Sequence, residues 1–215
     1  SEQNRVWVGL SKETAHQLGT PISSLMAWVE LIKETGMEQS YLPEMEKDVE
    51  RLRVIAERFS KVGSVPEKES VLLNELLENS LNYMQKRTSS KIHIMSRYIN
   101  CGEVFVLLNP PLFQWVIENL CKNAIDAISD SGEIVFEVRE EGKLVIIDVA
   151  DTGKGIPKSK FKTVFQPGYT TKMRGWGLGL SLVKRIVEEY HNGKIYVLRS
   201  ELNKGTCFRV ILDKK

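Results

Sequence analysis

The sequence predicts an α+β chain in two parts. Residues 1–65 read as an antiparallel helical hairpin, which a second copy would complete to a four-helix bundle. Residues 66–215 read as an α/β two-layer sandwich, with sheet on one side and helices on the other. Three observations carry this. Apolar residues in the first part recur in alternating steps of three and four, the period of packed helices. That rhythm stops in VGSVPEKES, residues 62–70, a polar stretch with Gly63 and Pro66 that reads as an interdomain linker and candidate hinge. Beyond it strand-like and helix-like spacings are mixed.

The first helix carries Ala15, Leu18, Ile22, Leu25, Val29 and Ile32 on one seam; the second carries Leu42, Met45, Val49, Leu52, Ala56 and Phe59. The short connection between them, residues 36–41, forces an antiparallel pair. Two helices cannot enclose a core alone, so a homodimer is expected. At about 100° per residue, His16 lies roughly 160° from Leu18 and points away from the seam. Thr20 shares its face. Pro21 removes the amide that would bond to the Gln17 carbonyl and should bend the helix. An exposed histidine beside a bend is open to a large partner, although by itself this also describes a solvated surface histidine.

In the second part, residues 72–87 have helical spacing, and 91–98 and 103–108 read as strands. Pro110 and Pro111 open a helix reaching residue 128, since prolines are tolerated in a first turn. Residues 134–139 and 144–149 form a hairpin. A helix at 180–190 and strands at 194–199 and 206–212 close the chain.

The chemistry-bearing residues fall on these elements. Asn119 and Asn123 share a helix face, and an amide oxygen is a suitable hard ligand for Mg²⁺; a surface or capping role fits the pair as well. Lys122 and Lys172 can neutralise phosphate oxygens or simply be solvated. Asp151 ends a strand at DTGKGIP, where a carboxylate can accept from an exocyclic amine and Gly153 and Gly155 let a flat ring approach the backbone. The same letters describe an ordinary turn. Gly175, Gly177 and Gly179 precede a helix whose amides and positive end suit a phosphate chain. The loop lacks the strand before it that a dinucleotide fingerprint needs, and the Gly-Lys-Ser/Thr of a P-loop.

Composition narrows the partners. A net charge of +2 gives no field that argues for nucleic acid. Cys101, Cys121 and Cys207 are odd in number and widely spaced, and read as reduced thiols in a cytosolic setting. No apolar run approaches the roughly 18 residues needed to span a bilayer, so no membrane contact is expected of this segment.

In order and spacing the motifs resemble the ATP-binding domain shared by histidine kinases, gyrase, mismatch-repair ATPases and heat-shock chaperones. NLCKNA stands as the N box, DTGKGIP as the first glycine box, FKTVFQPGYTTK as the F box, GWGLGL as the second glycine box and KGTCF as the last. Upstream, HQLGTP resembles the phosphoacceptor box of sensor histidine kinases in His16, Thr20 and Pro21. Together these cover nearly the whole chain.

The resemblance implies ATP and Mg²⁺ as cofactors, Asn123 on the metal, Asp151 on adenine and Asn119 near the phosphates. Further nucleotide contacts are implied from Lys122, Thr171, Lys172, Leu178 and Thr206 beside the glycines, under a mobile lid at 157–175. It implies autophosphorylation of His16, with Gln17 and Thr20 beside it. Transfer to an aspartate of a response regulator receiver domain would follow, with phosphatase activity toward that partner. The setting it implies is cytoplasmic, either free or as the cytoplasmic part of a membrane sensor.

The departures are specific. Gln17 replaces the family's acidic residue and cannot accept a proton near neutral pH; Glu13, three residues before His16, can stand as a substitute base or simply be a solvated acid of the helix. Asp126 replaces a frequent lysine, and Trp176 is bulky inside the glycine loop. Two rivals remain at this point. A clamp-type ATPase would need a glutamate where Asn119 stands, and Glu118 is one residue out of register. A non-catalytic scaffold is favoured only by Gln17.

Overall fold

The computed structural model describes residues 2–35, 42–60, 67–169 and 179–214, with the side chains of 2–16, 19–20 and 53–60 left out. The chain divides into two compact units, Ser1–Val65 and Pro66–Lys215. Among the described residues, no helix is long and apolar enough to cross a membrane.

The first unit consists of α1 (Glu2–Thr35) and α2 (Leu42–Ser60). Pro21 lies inside α1 without ending it. The helices pack through a polar contact, in which buried Asp48 of α2 accepts from Ser24 Oγ at 2.6 Å and Trp28 Nε1 at 3.2 Å of α1. This corrects the seam read from the sequence. The α1 surface facing α2 runs through Ser24 and Trp28, with Leu18, Leu25 and Ile32 half-buried, while Ile22, Met26 and Val29 stay exposed. Those three, with Leu25, Glu30 and Lys33, line a groove of about 310 Å³ along α1.

The second unit begins with β1 (Glu69–Leu72), which pairs antiparallel with β3 (Phe105–Leu108). The predicted linker therefore ends earlier than residue 70. Glu69 and Ser70 carry no strand pattern of their own; pairing with Leu108 and Leu107 makes them one. Next come α3 (Leu73–Lys86), β2 (Ile92–Ile99), α4 (Pro110–Ala127), β4 (Gly132–Glu141), β5 (Leu144–Asp151), α5 (Gly179–Arg185), β6 (Lys194–Glu201) and β7 (Gly205–Asp213). The main sheet has the order β2-β4-β5-β7-β6, parallel only between β2 and β4. The last helical stretch widens into a π turn at Ile186–Tyr190.

Cross-strand rows build the core. Phe136, Val149 and Phe208 form one row and Val138, Ile147 and Val210 the next, all buried on the face that the helices cover. On the opposite face Asp148 is held by Arg209 through two 2.8 Å bonds.

Candidate nucleotide site

The row beyond Phe136–Val149–Phe208 is Ile134–Asp151–Thr206, where the apolar face turns polar at the end of the sheet. Asp151 and Thr206 are 7% and 5% exposed, so the carboxylate is set into the fold. Its Oδ1 accepts from the Gly153 amide at 2.8 Å. Burial pushes the Asp151 carboxyl above the usual range, and the amides of Gly153 and Thr206 pull part of the way back.

The turn after Asp151 is seated by glycines. A Cβ on Gly153 would stand 2.6 Å from the Ala127 carbonyl, and the next amide, Lys154 N, donates to that carbonyl at 2.9 Å. The turn is thereby docked on the last residue of α4, one helical turn beyond Asn123. Gly205, with φ at +135°, passes so close to the Asp151 carbonyl that a Cβ would lie 1.9 Å away. Two close backbone approaches thus fix Asp151 from both sides.

Helix α4 supplies a second surface. Asn109 caps it, with Oδ1 accepting from Leu112 N at 3.2 Å ahead of Pro110 and Pro111. Its buried face includes Phe113, Val116, Ile117, Leu120 and Ala124. Asn119 and Asn123 are half-exposed and Lys122 exposed. Asn119 Nδ2 donates to Trp115 O at 2.9 Å, which leaves Oδ1 free of that bond. A Cβ on Gly179, the first residue of α5, would sit 3.4 Å from Asn119 Oδ1. The structure therefore brings Asn119 to the start of α5, and Asp151, Gly153 and Thr206 to the end of α4. The amide oxygens present hard, neutral ligands of the kind Mg²⁺ accepts, so the residues fit that ion. Glu118 is buried and takes a hydrogen bond from Gln114 at 3.0 Å, tying its carboxylate to the helix's own side.

Residues 109–215 match the family of histidine kinase-, DNA gyrase B-, and HSP90-like ATPases. Sensor histidine kinase ZraS of Salmonella typhi is 34% identical over an alignment of 212 residues that covers 94% of this chain and 45% of ZraS. The chain belongs to the sensor histidine kinases. Sporulation kinase D of Bacillus subtilis is 29% identical over 94% of the chain and 41% of its own length. The chain thus spans less than half the length of these curated relatives. The catalytic domain of histidine kinase ThkA superposes with a TM-score of 0.63 at 28% identity, over 69% of this chain and 96% of that domain. A structure of ThkA in complex with response regulator protein TrrA has a TM-score of 0.64 at 23% identity, covering 100% of this chain and 64% of ThkA.

In this chain the remaining expected site residues divide as follows. Thr171, Lys172, Gly175, Gly177 and Leu178 lie outside the described residues, as do the side chains of His16 and Thr20, whose backbone is helical. Gln17 is half-buried on α1. The expected lid is anchored in its first half, because Val164 and Phe165 are buried and Phe165 meets Phe208 edge-on at 5.9 Å. Gly155, with φ at +76°, approaches Glu201 O too closely for any side chain.

Sequence reasoning missed Ser200. Its Oγ accepts from Ile156 N at 2.7 Å, donates to Gly205 O at 3.0 Å and pairs with Thr206 Oγ1 at 2.7 Å. Plain alternation from Val197 would have put Arg199 there. A bulge between Val197 and Arg199 shifts the register so that Ser200 faces Thr206 instead.

Proposed function

We propose that this chain is a catalytic core that transfers the γ-phosphoryl group of ATP to His16 and then to an aspartate of a response regulator receiver domain. The observation that carries the reading is the buried, acceptor-only Asp151, held at the sheet end by Gly153 and Gly205 beside the end of α4. A carboxylate so placed takes the exocyclic amine of adenine, and the glycines admit the ring. Asn119 and Asn123 present amide oxygens to the phosphate end. Mg²⁺, when bound at Asn123, neutralises phosphate charge. What the chain itself contributes is positioning, since phosphoryl transfer needs in-line approach and charge compensation more than covalent chemistry. The attacking atom is a neutral imidazole nitrogen of His16. Gln17 orients that ring by hydrogen bonding, and Thr20 serves dephosphorylation of the regulator.

The receiver domain as partner is supported by the family and by the ThkA–TrrA complex among the structural relatives. Dimerisation through the hairpin is supported by the apolar groove on α1. The setting we propose is cytoplasmic, with 1–65 as the dimerisation and phosphoacceptor part and 66–215 as the ATP-binding part. The clamp-type ATPase reading loses support because Glu118 is buried on a different face from Asn119.

The test is labelling with γ-³²P-ATP. Acid-labile label should stay on the protein, vanish in His16→Ala, and vanish in Asn123→Ala with the dimer intact. Rapid phosphate release without labelled protein would overturn the kinase reading in favour of a plain ATPase.

A further inference from the structure

We infer that Ser200 determines nucleotide base specificity by fixing the direction in which the Thr206 hydroxyl points. This inference rests on the nucleotide reading above, and it follows from counting protons. Ser200 Oγ has one proton and two lone pairs. The Ile156 amide can only donate, and it occupies one lone pair at 2.7 Å. The Gly205 carbonyl can only accept, and it takes the proton at 3.0 Å. What is left for Thr206 Oγ1, 2.7 Å away, is the second lone pair of Ser200. Thr206 must therefore be the donor of that pair. The alternative, with Ser200 donating to Thr206, withdraws the bond from the half-buried Gly205 carbonyl.

With its proton committed to Ser200, Thr206 presents only lone pairs. It stands next to Asp151 in the same cross-strand row, and both are more than nine-tenths buried. Asp151, when ionised, is also an acceptor only. The polar end of the sheet is thus a wall of acceptors with no proton to offer. A base edge fits it by presenting an N–H, as the 6-amino group of adenine does. Adenine N1, an acceptor, is then read through a water that donates one proton to N1 and the other to the wall. A 6-oxo base turns a carbonyl toward the wall at position 6, where acceptor meets acceptor, and its N1, now an N–H, cannot take the water's proton as adenine N1 does. A site built to bond a ligand N–H rejects analogues that lack it much more strongly than a shape-only pocket does.

The bulge in β6 is the device that installs this arrangement. Without it Arg199 would occupy the place beside Thr206, bringing several donors and a positive charge. The extra residue, Leu198, turns Arg199 to the other face and delivers a single small hydroxyl. Ser200 is accordingly a positioning residue, acting on the base through Thr206.

The experiment compares equilibrium binding of ATP and ITP by the whole chain, because adenine and hypoxanthine differ only on this edge. The unmodified protein should prefer ATP. In Ser200→Ala the Thr206 proton is released and can turn toward a 6-oxo group, so the ATP-to-ITP affinity ratio should fall by about tenfold. Equal weakening of both nucleotides, with the ratio held within about twofold, is what a purely structural serine would give, and it overturns the inference. If Ser200→Ala does not fold, Thr206→Val removes the acceptor itself and should lower the same ratio; an unchanged ratio there overturns the inference equally. Failure of the unmodified chain to bind either nucleotide would sink the nucleotide reading together with this one. A preference for ATP that survives both substitutions sinks only the role of Ser200.

Discussion

In residues 66–215 a core of large apolar side chains is shut away, with Leu73, Leu77, Phe113 and Phe136 at 1% exposure or less, while Phe105, Leu107 and Leu202 remain exposed at its surface. In residues 1–65 Ile22, Met26 and Val49 stand at 45, 65 and 55%. The contrast extends to the polar groups. The second unit places its buried Asp151 at the rim of a finished core, where it is free to meet a ligand. The first unit spends its buried Asp48 on holding α1 to α2 through Ser24 and Trp28. One unit builds its core from its own chain and sets a carboxylate at the rim of that core. The other uses a carboxylate for its internal contact and leaves apolar side chains exposed among its described residues.

The comparison breaks first at Gly205. Its φ of +135° is a conformation side chains rarely adopt, and a Cβ would stand 1.9 Å from the Asp151 carbonyl. Gly205→Ala should cost the second unit about 3–5 kcal/mol and abolish ATP binding with it. Thermal unfolding followed by aromatic fluorescence and by helix signal separates the units, since the hairpin helices should keep their own transition. A single transition lowered as a whole would show that the two do not fold independently, and an unchanged one would overturn the strain assigned to Gly205.

The next test sharpens the other half. Ile22→Glu with Val49→Glu puts charges on exposed positions, so it should leave each protomer's ATP affinity alone. If those residues are covered by a second copy, the dimer loses about 2 kcal/mol for each of its four substituted side chains, about 8 kcal/mol together, and its dissociation constant should rise on the order of a millionfold. Sedimentation at several concentrations measures it. An unchanged mass would mean that the exposed stripe of α1 and α2 is not the dimer face.

How much of this was readable beforehand differs by element for physical reasons. Helix α4 announces itself through Asn109-Pro110-Pro111, a cap followed by two residues that need no amide partner, and its end was read within one residue. Asp151 was legible as a strand-end carboxylate because the apolar, β-branched run of β5 leads straight to it. Strand β1 was not legible, since Glu69 and Ser70 become a strand only by pairing with β3. Nor was Ser200, because a bulge changes which residue faces inward without changing any letter. On α1 the three-four spacing showed an apolar stripe but not what it faces. The stripe against α2 turned out to be the polar one through Ser24 and Trp28.

The smallest expected effect concerns His191, at the far end of α4 from the Asp151 turn. The ring is buried, donates from Nδ1 to Ile186 O at 2.8 Å across the π turn, and accepts at Nε2 from the Asn109 amide at 3.1 Å. Asn109 Nδ2 in turn donates to Glu67 O at 2.8 Å, so one neutral imidazole ties the chain leaving the linker to the start of α4 and the end of the last helix. Burial lowers the His191 pKa, and Lys68 adds to that. A proton on Nε2 would face the Asn109 N–H with no acceptor between them. As pH falls through about 6.5 the unfolded chain takes up a proton that the folded chain refuses, so stability declines until the lowered folded pKa is reached. The decline has a limiting slope of about 1.4 kcal/mol per pH unit. His191→Gln keeps one donor and one acceptor but does not titrate. Denaturant unfolding between pH 8 and pH 5, about 1.5 units either side of 6.5, should therefore give curves that converge toward acid, the variant losing less. Parallel curves over that range would mean that His191 takes its proton inside the fold, and the neutral clamp at the head of α4 would have to be abandoned.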